Sequence, residues 1–257
     1  MNNLPARTGW QWIKRGFALF RKQPAELSTL FIGYMVMMFL CGVIPVLGQL
    51  LPLILVPVFS MAFMQACANI EQDKRVYPNL LLTGFRSPAL KKLLILGSLY
   101  VVAALLAIGI SSLVDGGLFW RLMTGRVTLT ASTEAGASMG FAMLLAALLY
   151  IPAAMAFWFA APLVTWHGMS LGRAMFYSFF AVRGAKKAFI LFGLGWIALG
   201  IVLPVIISAV LAIVTGQQFL ARLILLPISL LLTVVMYCSF YATYVELFGK
   251  QDPSRAS

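Results

Sequence analysis

From Leu93 to Val114 the chain carries no charged side chain, and from Ala188 to Val214 it again carries none. About 20 mostly apolar residues suffice to cross the hydrocarbon of a bilayer as a helix. Lipid offers no water to backbone N–H and C=O groups, so such runs must satisfy them internally, as helices do. Four more runs have the same character. The predicted spans are 27–47, 50–70, 93–114, 139–166, 188–214 and 219–248. Charged residues make up only 10% of the chain, against about 25% in soluble domains. The expected fold is an all-α integral membrane protein: a six-transmembrane-helix bundle forming a single membrane domain over residues 1–257.

The formal charge is +12, from 19 Lys and Arg against 7 Asp and Glu. No long basic run and no aromatic-interleaved basic patch supports nucleic-acid binding, so nucleic acid is not an expected partner. The basic residues cluster beside the spans. Sixteen of the 19 lie in the N-terminal segment, the connections after spans two and four, and the tail, leaving Arg121, Arg126 and Arg222 on the alternate side. By the positive-inside rule both termini are expected in the cytoplasm, with 115–138 as an external loop. The basic N-terminus precedes an apolar run too long for a signal h-region, so that run reads as a retained span.

Three short segments at the basic side are expected to lie on the membrane surface. In 8–23, Trp10, Trp12, Ile13, Phe17, Leu19 and Phe20 fill one arc of a helix, while Gln11, Lys14, Arg15, Arg21 and Lys22 fill the other. That division describes an amphipathic interfacial helix, with aromatics toward the acyl boundary and cations toward head groups. A second segment, 77–92, ends in a basic corner of Arg86, Lys91 and Lys92. The third has Ser170 as a candidate N-cap, an apolar stripe of Leu171, Met175, Phe179 and Val182, and a corner of Arg183, Lys186 and Lys187. Together Lys14, Arg15, Arg21, Lys22, Arg86, Lys91, Lys92, Arg183, Lys186 and Lys187 are candidate contacts for anionic lipid or an acidic partner. The bland reading is that these charges only enforce topology.

Each segment gives an aromatic, a basic residue, a Pro or Gly break and then a span. Two readings follow: a three-hairpin repeat, or the pattern any interfacial helix shows before a span.

Residues that could carry chemistry are few. His167 is the single histidine, and no Cys or carboxylate stands at ligand spacing from it, so a metal site lacks ligands. Cys41, Cys67 and Cys238 fall inside apolar runs and read as small hydrophobes. No P-loop, GxSxG, HExxH or GxGxxG occurs, so no cofactor is expected. Glu26 and Glu246 stand at span ends beside basic neighbours, as paired structural carboxylates would. No acid falls at mid-membrane, which counts against proton- or sodium-coupled transport. The polar side chains there are Gln49, Gln65, Asn69, Ser229 and Thr233. Gln65 and Asn69, four apart on one helical face, read as an interhelical hydrogen-bonding pair or the lining of a small cavity. Ala103, Ala107 and Ser111 make a small-residue face on span three. Tyr237, Tyr241, Tyr244 and Phe248 make a stripe on span six, with Tyr237 deep enough to pack on another span.

At WFAAPLVTWHGMSLGRAMFYSFFAVRGAKKAF, residues 158–189, the chain resembles a family of bacterial six-span inner-membrane proteins with no established activity. The resemblance rests on a W-F-x-A-P span end, an A-x-x-x-S-F surface helix at Ala174 to Phe179, and the basic corner that follows. The opening GWQWIKRGFALFRKQP is similar too. A looser likeness extends to the membrane domain attached to some glycerophosphodiester phosphodiesterases, without their catalytic domain. The resemblance implies a fold and a membrane address, and no catalytic residue.

The function expected is that of a non-enzymatic multi-pass protein of the bacterial cytoplasmic membrane, acting through lipid or an unidentified membrane or cytoplasmic protein. The alternative is an uncoupled carrier of a small, weakly polar or lipid-like molecule, which would need a central wet path. The sequence does not state an oligomeric state.

Overall fold

The computed structural model describes residues 4–44, 48, 50–123, 137–215 and 218–250. Among them every regular element is helical, and six stretches are long and apolar enough to cross a membrane. In chain order these are α1 (Arg7–Lys22), α2 (Pro24–Gly42), α3 (Leu51–Glu71), a 3₁₀ turn (Pro78–Leu82) with α4 (Thr83–Arg86), α5 (Leu90–Asp115) and α6 (Leu118–Met123). There follow α7 (Ala137–Phe157), α8 (Ala160–Trp166), α9 (Leu171–Gly184), α10 (Lys186–Ile197), a π-helical turn (Ala198–Val202), α11 (Leu203–Thr215) and α12 (Gln218–Phe248).

Prolines set several boundaries. Pro24 opens α2, because its fixed φ and missing N–H suit a first helical position. The first span is therefore Pro24–Gly42, starting and ending earlier than the predicted 27–47. Span four breaks in two at Trp158–Phe159. Pro162 has no N–H for the carbonyl of Trp158 and its ring crowds that carbonyl. Beside it the Ser178 hydroxyl accepts from the Phe159 N–H at 2.9 Å and donates to the Met155 carbonyl at 2.8 Å. Phe159 and Met155 are partners in an unbroken helix, so a side chain from α9 has entered the ladder at the bend. In span five the π turn ends just before Pro204, a wide turn that accommodates the proline without ending the span. The predicted external loop, 115–138, contains a short helix, α6, that its Gly- and Thr-rich composition hid. Residues 124–136, with Arg126 and Glu134, lie outside the described residues, as does Gln49.

The buried side chains concentrate in the half of the bundle nearest the basic segments. Helix α3 is enclosed over most of its length there, with Val58, Met61, Ala62, Ala66 and Cys67 fully buried. Around it pack α2, α5, α8 and α12. Tyr237 of α12 stacks on Phe63 of α3 at 4.3 Å, the deep packing expected of that tyrosine. Farther from the basic face, α5 and α7 hold together through small residues: Ala107 and Ser111 on one side, Ala142 and Ala146 on the other. This is the small-residue face read on span three.

The three basic segments do not lie free on a surface. Helix α1 packs on α10 and α12, the 3₁₀ turn and α4 pack on α2 and α3, and α9 packs on α7 and α8. For α1 the apolar arc, expected to meet the acyl boundary, meets protein at its centre. Trp12 and Ile13, the centre of its apolar arc, are fully buried with Ala188, Phe192 and Ala242, while Trp10 stays 43% exposed. Two glycines make the approach close enough. A Cβ on Gly9 would strike the Ala188 carbonyl, and one on Gly16 would strike Ser239. For α9 the expected stripe is kept in part: Val182 is buried, and Leu171 and Met175 pack half-buried against the core. Beside them Ala174 and Ser178 are fully buried, and Ser178 bonds to the bend in span four.

Candidate functional site

The basic face is built where the ends of the spans meet the three segments, and its electrostatics are uneven. Arg15 of α1 donates to Glu246 of α12 at 2.6 Å. Lys22, at the C-terminal end of α1, reaches Asp73 at 3.2 Å, and Arg75 reaches Glu26 at 3.6 Å. Lys250 lies 3.5 Å from Glu71, whose carboxylate also accepts from the Tyr241 hydroxyl at 3.2 Å. Gln23 adds two bonds to the same loop, donating to the Lys74 carbonyl and accepting from the Val76 N–H, both at 2.9 Å. The paired carboxylates read at Glu26 and Glu246 are thus where the sequence placed them. Exposed pairs of this kind contribute about 0–1 kcal/mol each; their distribution matters more than their strength.

Glu26, Glu71, Asp73 and Glu246 are the described acids on this face, and all are taken up by α1, the loop after α3, and the end of α12. The second and third corners receive none of them. Arg86, Lys91 and Lys92 are exposed, as are Arg183, Lys186 and Lys187, and no described acid lies within ion-pair distance of any of the six. Lys92 instead donates to the Met169 carbonyl at 3.3 Å, joining the second corner to the start of α9. Arg173, in the first turn of α9 and also exposed, adds a further cation. Of the first corner, Arg15 and Lys22 are internally neutralised, while Lys14 and Arg21 stay exposed without an acid partner among the described residues. The ten cations therefore form an uneven collar, strongest along the side from α4 through α9 to α10.

The remaining candidates resolve into structural roles. Gln65 Nε2 donates to Asn69 Oδ1 at 3.0 Å, so this pair bonds within α3 rather than between helices. His167 Nε2 and the Tyr244 hydroxyl share a hydrogen bond of 2.8 Å that ties the end of α8 to α12. Ser170 holds the N-cap position of α9 with extended backbone, but its side chain makes no cap bond. No group of three His, Cys, Asp or Glu with metal-binding geometry occurs among the described residues. What the sequence reading missed is the outward side of α9. Phe176, Tyr177 and Phe180 are 61%, 47% and 40% exposed there, in a row with Arg173 and Arg183. The signal was present in the i, i+4, i+8 spacing of Ala174, Ser178 and Val182, which marks the buried side by small size rather than hydrophobicity.

Fold and face together define a six-span helical membrane protein with a basic end. The chain belongs to a family of bacterial inner-membrane proteins: over 253 residues it is 39% identical to a protein of Burkholderia thailandensis described as a probable inner membrane protein, covering 96% of this chain and 93% of that one. No family profile and no solved structure matches the chain.

Proposed function

We propose that the basic face lies in the cytoplasm and that this protein acts there without catalysis, by gathering anionic phospholipid around the bundle. The observation that carries this reading is the segregation of charge. Acids are spent on ion pairs that join α1, the start of α2, the loop after α3 and the end of α12, while Arg86, Lys91, Lys92, Arg173, Arg183, Lys186 and Lys187 are left facing outward. Topology alone requires positive charge on this side but not its concentration along one side. Each cation near an anionic leaflet contributes about 1 kcal/mol, so a cluster of this size amounts to a lipid-sorting surface. A central carrier path finds less support, because α3 is enclosed over most of its length and fills the middle of the basic half.

The test is the lipid that accompanies the protein. In mild detergent, replacement of Lys91, Lys92, Lys186 and Lys187 by Gln should lower co-purified phosphatidylglycerol and cardiolipin several-fold while span orientation stays the same. Unchanged lipid would leave these charges only their topological role.

A further inference from the structure

Along the outward side of α9 runs an open groove of about 580 Å³. Phe176, Tyr177 and Phe180 form one wall, and Leu4, Leu247 and Phe248, from the two ends of the chain, form the other. Ala185 lies buried at its base. Its size falls within the roughly 300–1,000 Å³ of sites that take a small ligand. Its walls are mainly apolar; the polar side chains among them are Tyr177 and Glu246.

Among the described residues, the charge around the groove that lacks an ion-pair partner has one sign. Glu246 is engaged by Arg15 at 2.6 Å, so its carboxylate is neutralised at the edge. Arg183 follows Phe176 and Phe180 by seven and three residues and so shares their side of the helix. Gly184 and Ala185 line the groove, with Arg183 before them and Lys186 and Lys187 after, all exposed and without a described acid partner. An apolar slot with cations at one end fits an amphiphile with an apolar tail and an anionic head. Position selects which amphiphile. Helix α9 joins the end of one span to the start of the next, so the groove opens at the level where phospholipid heads meet their chains.

We propose that this groove holds one acyl chain of an anionic phospholipid of the surrounding leaflet, with its phosphate against Arg183, Lys186 and Lys187. The proposal rests on the basic face being a lipid-binding surface and gives that surface a single defined site.

The full-length protein in nanodiscs, exposed to phosphatidylglycerol carrying a diazirine in its acyl chain and then mapped by peptide mass spectrometry, tests it. Labelling should concentrate on 176–181 and 247–248. It should exceed labelling by the matching phosphatidylcholine probe by about tenfold at those peptides. The double variant Phe176→Ser and Phe180→Ser, at exposed positions, should cut labelling there by about tenfold while total phosphatidylglycerol bound stays the same. Lys186→Gln with Lys187→Gln should bring the two probes toward equal labelling. Label spread evenly over the lipid-facing spans overturns the site, as does equal labelling by both probes on the unmodified protein. A dimer mass with the groove unlabelled overturns it in favour of a second copy of the chain. Failure of the broader reading looks different: the four-lysine variant would keep its bound phosphatidylglycerol whatever the label map shows.

Discussion

Gly16 sits where α1 crosses α12, and a Cβ there would fall on the backbone of Ser239. One residue away, Arg15 makes the shortest ion pair on the basic face, yet its side chain is 54% exposed and that of its partner Glu246 30%. The two interactions hold the same pair of helices, and their magnitudes decide between them. An exposed pair contributes about 0–1 kcal/mol. Overpacking a close contact typically costs about 1–3 kcal/mol, and more where backbone must move. Gly16→Leu should therefore lower the thermal midpoint in detergent far more than Arg15→Gln. Equal losses would mean that charge, rather than close packing, seats α1. Trp12, fully buried between α1 and α10 with its ring 5.1 Å from Phe189, belongs with Gly16. Trp12→Ala should cost about 3–5 kcal/mol by emptying that site, read in the same melting experiment.

At the scale of elements, the bend between α7 and α8 depends on a neighbour. Ser178 bonds both Phe159 and Met155, replacing the helical bond that the bend opens. Removing its hydroxyl leaves a buried N–H and C=O without it, at about 1–3 kcal/mol for an unsatisfied buried group. Ser178→Ala should lower stability by that amount and speed hydrogen exchange at residues 155–160. Unaltered exchange would mean that Pro162 alone maintains the bend. The same helix shows what the sequence could and could not reveal. Span number, the pairing of Glu26 and Glu246 with cations, and the small-residue seam of α5 were legible, because each follows from local hydropathy or spacing. The docking of α1 and α9 was not. An aromatic–basic division looks alike whether the apolar arc meets lipid or protein, since both are apolar surroundings. The discriminating residues, Gly9 and Gly16 in α1 and Ala174 and Ser178 in α9, read as gaps in a hydrophobic pattern. Tertiary contact gives them meaning.

For the whole molecule, the order of docking closes on itself. The first segment packs on the third hairpin, the second on the first hairpin, and the third on the second. Gly16 meets Ser239, Gly84 would meet Val58, and Ser178 meets Phe159, so each segment brings a small residue to the later helix of the hairpin before it. Helix α1 therefore joins the last hairpin to the first, and its pairs with Glu246 and Asp73 span that joint. Lys250 on Glu71 brings the end of α12 to the same face as α1. With six spans between them, both ends of the chain must emerge on one side, and sixteen of the 19 basic residues belong to that side. The positive-inside rule predicts that this side faces the cytoplasm. Reporter fusions after Lys92 and after Lys187 should read cytoplasmic, and one inserted within 124–138 should read external. A cytoplasmic signal from that insertion would reverse the orientation and move the collar, with its groove, to a leaflet where positive charge does not direct insertion. Neutralising Lys186 and Lys187 should leave all three readings unchanged, because the fourteen other basic residues on that side still hold it in place. An inverted reading in that variant would show that this corner alone orients the bundle, and its charge would then be explained without any lipid.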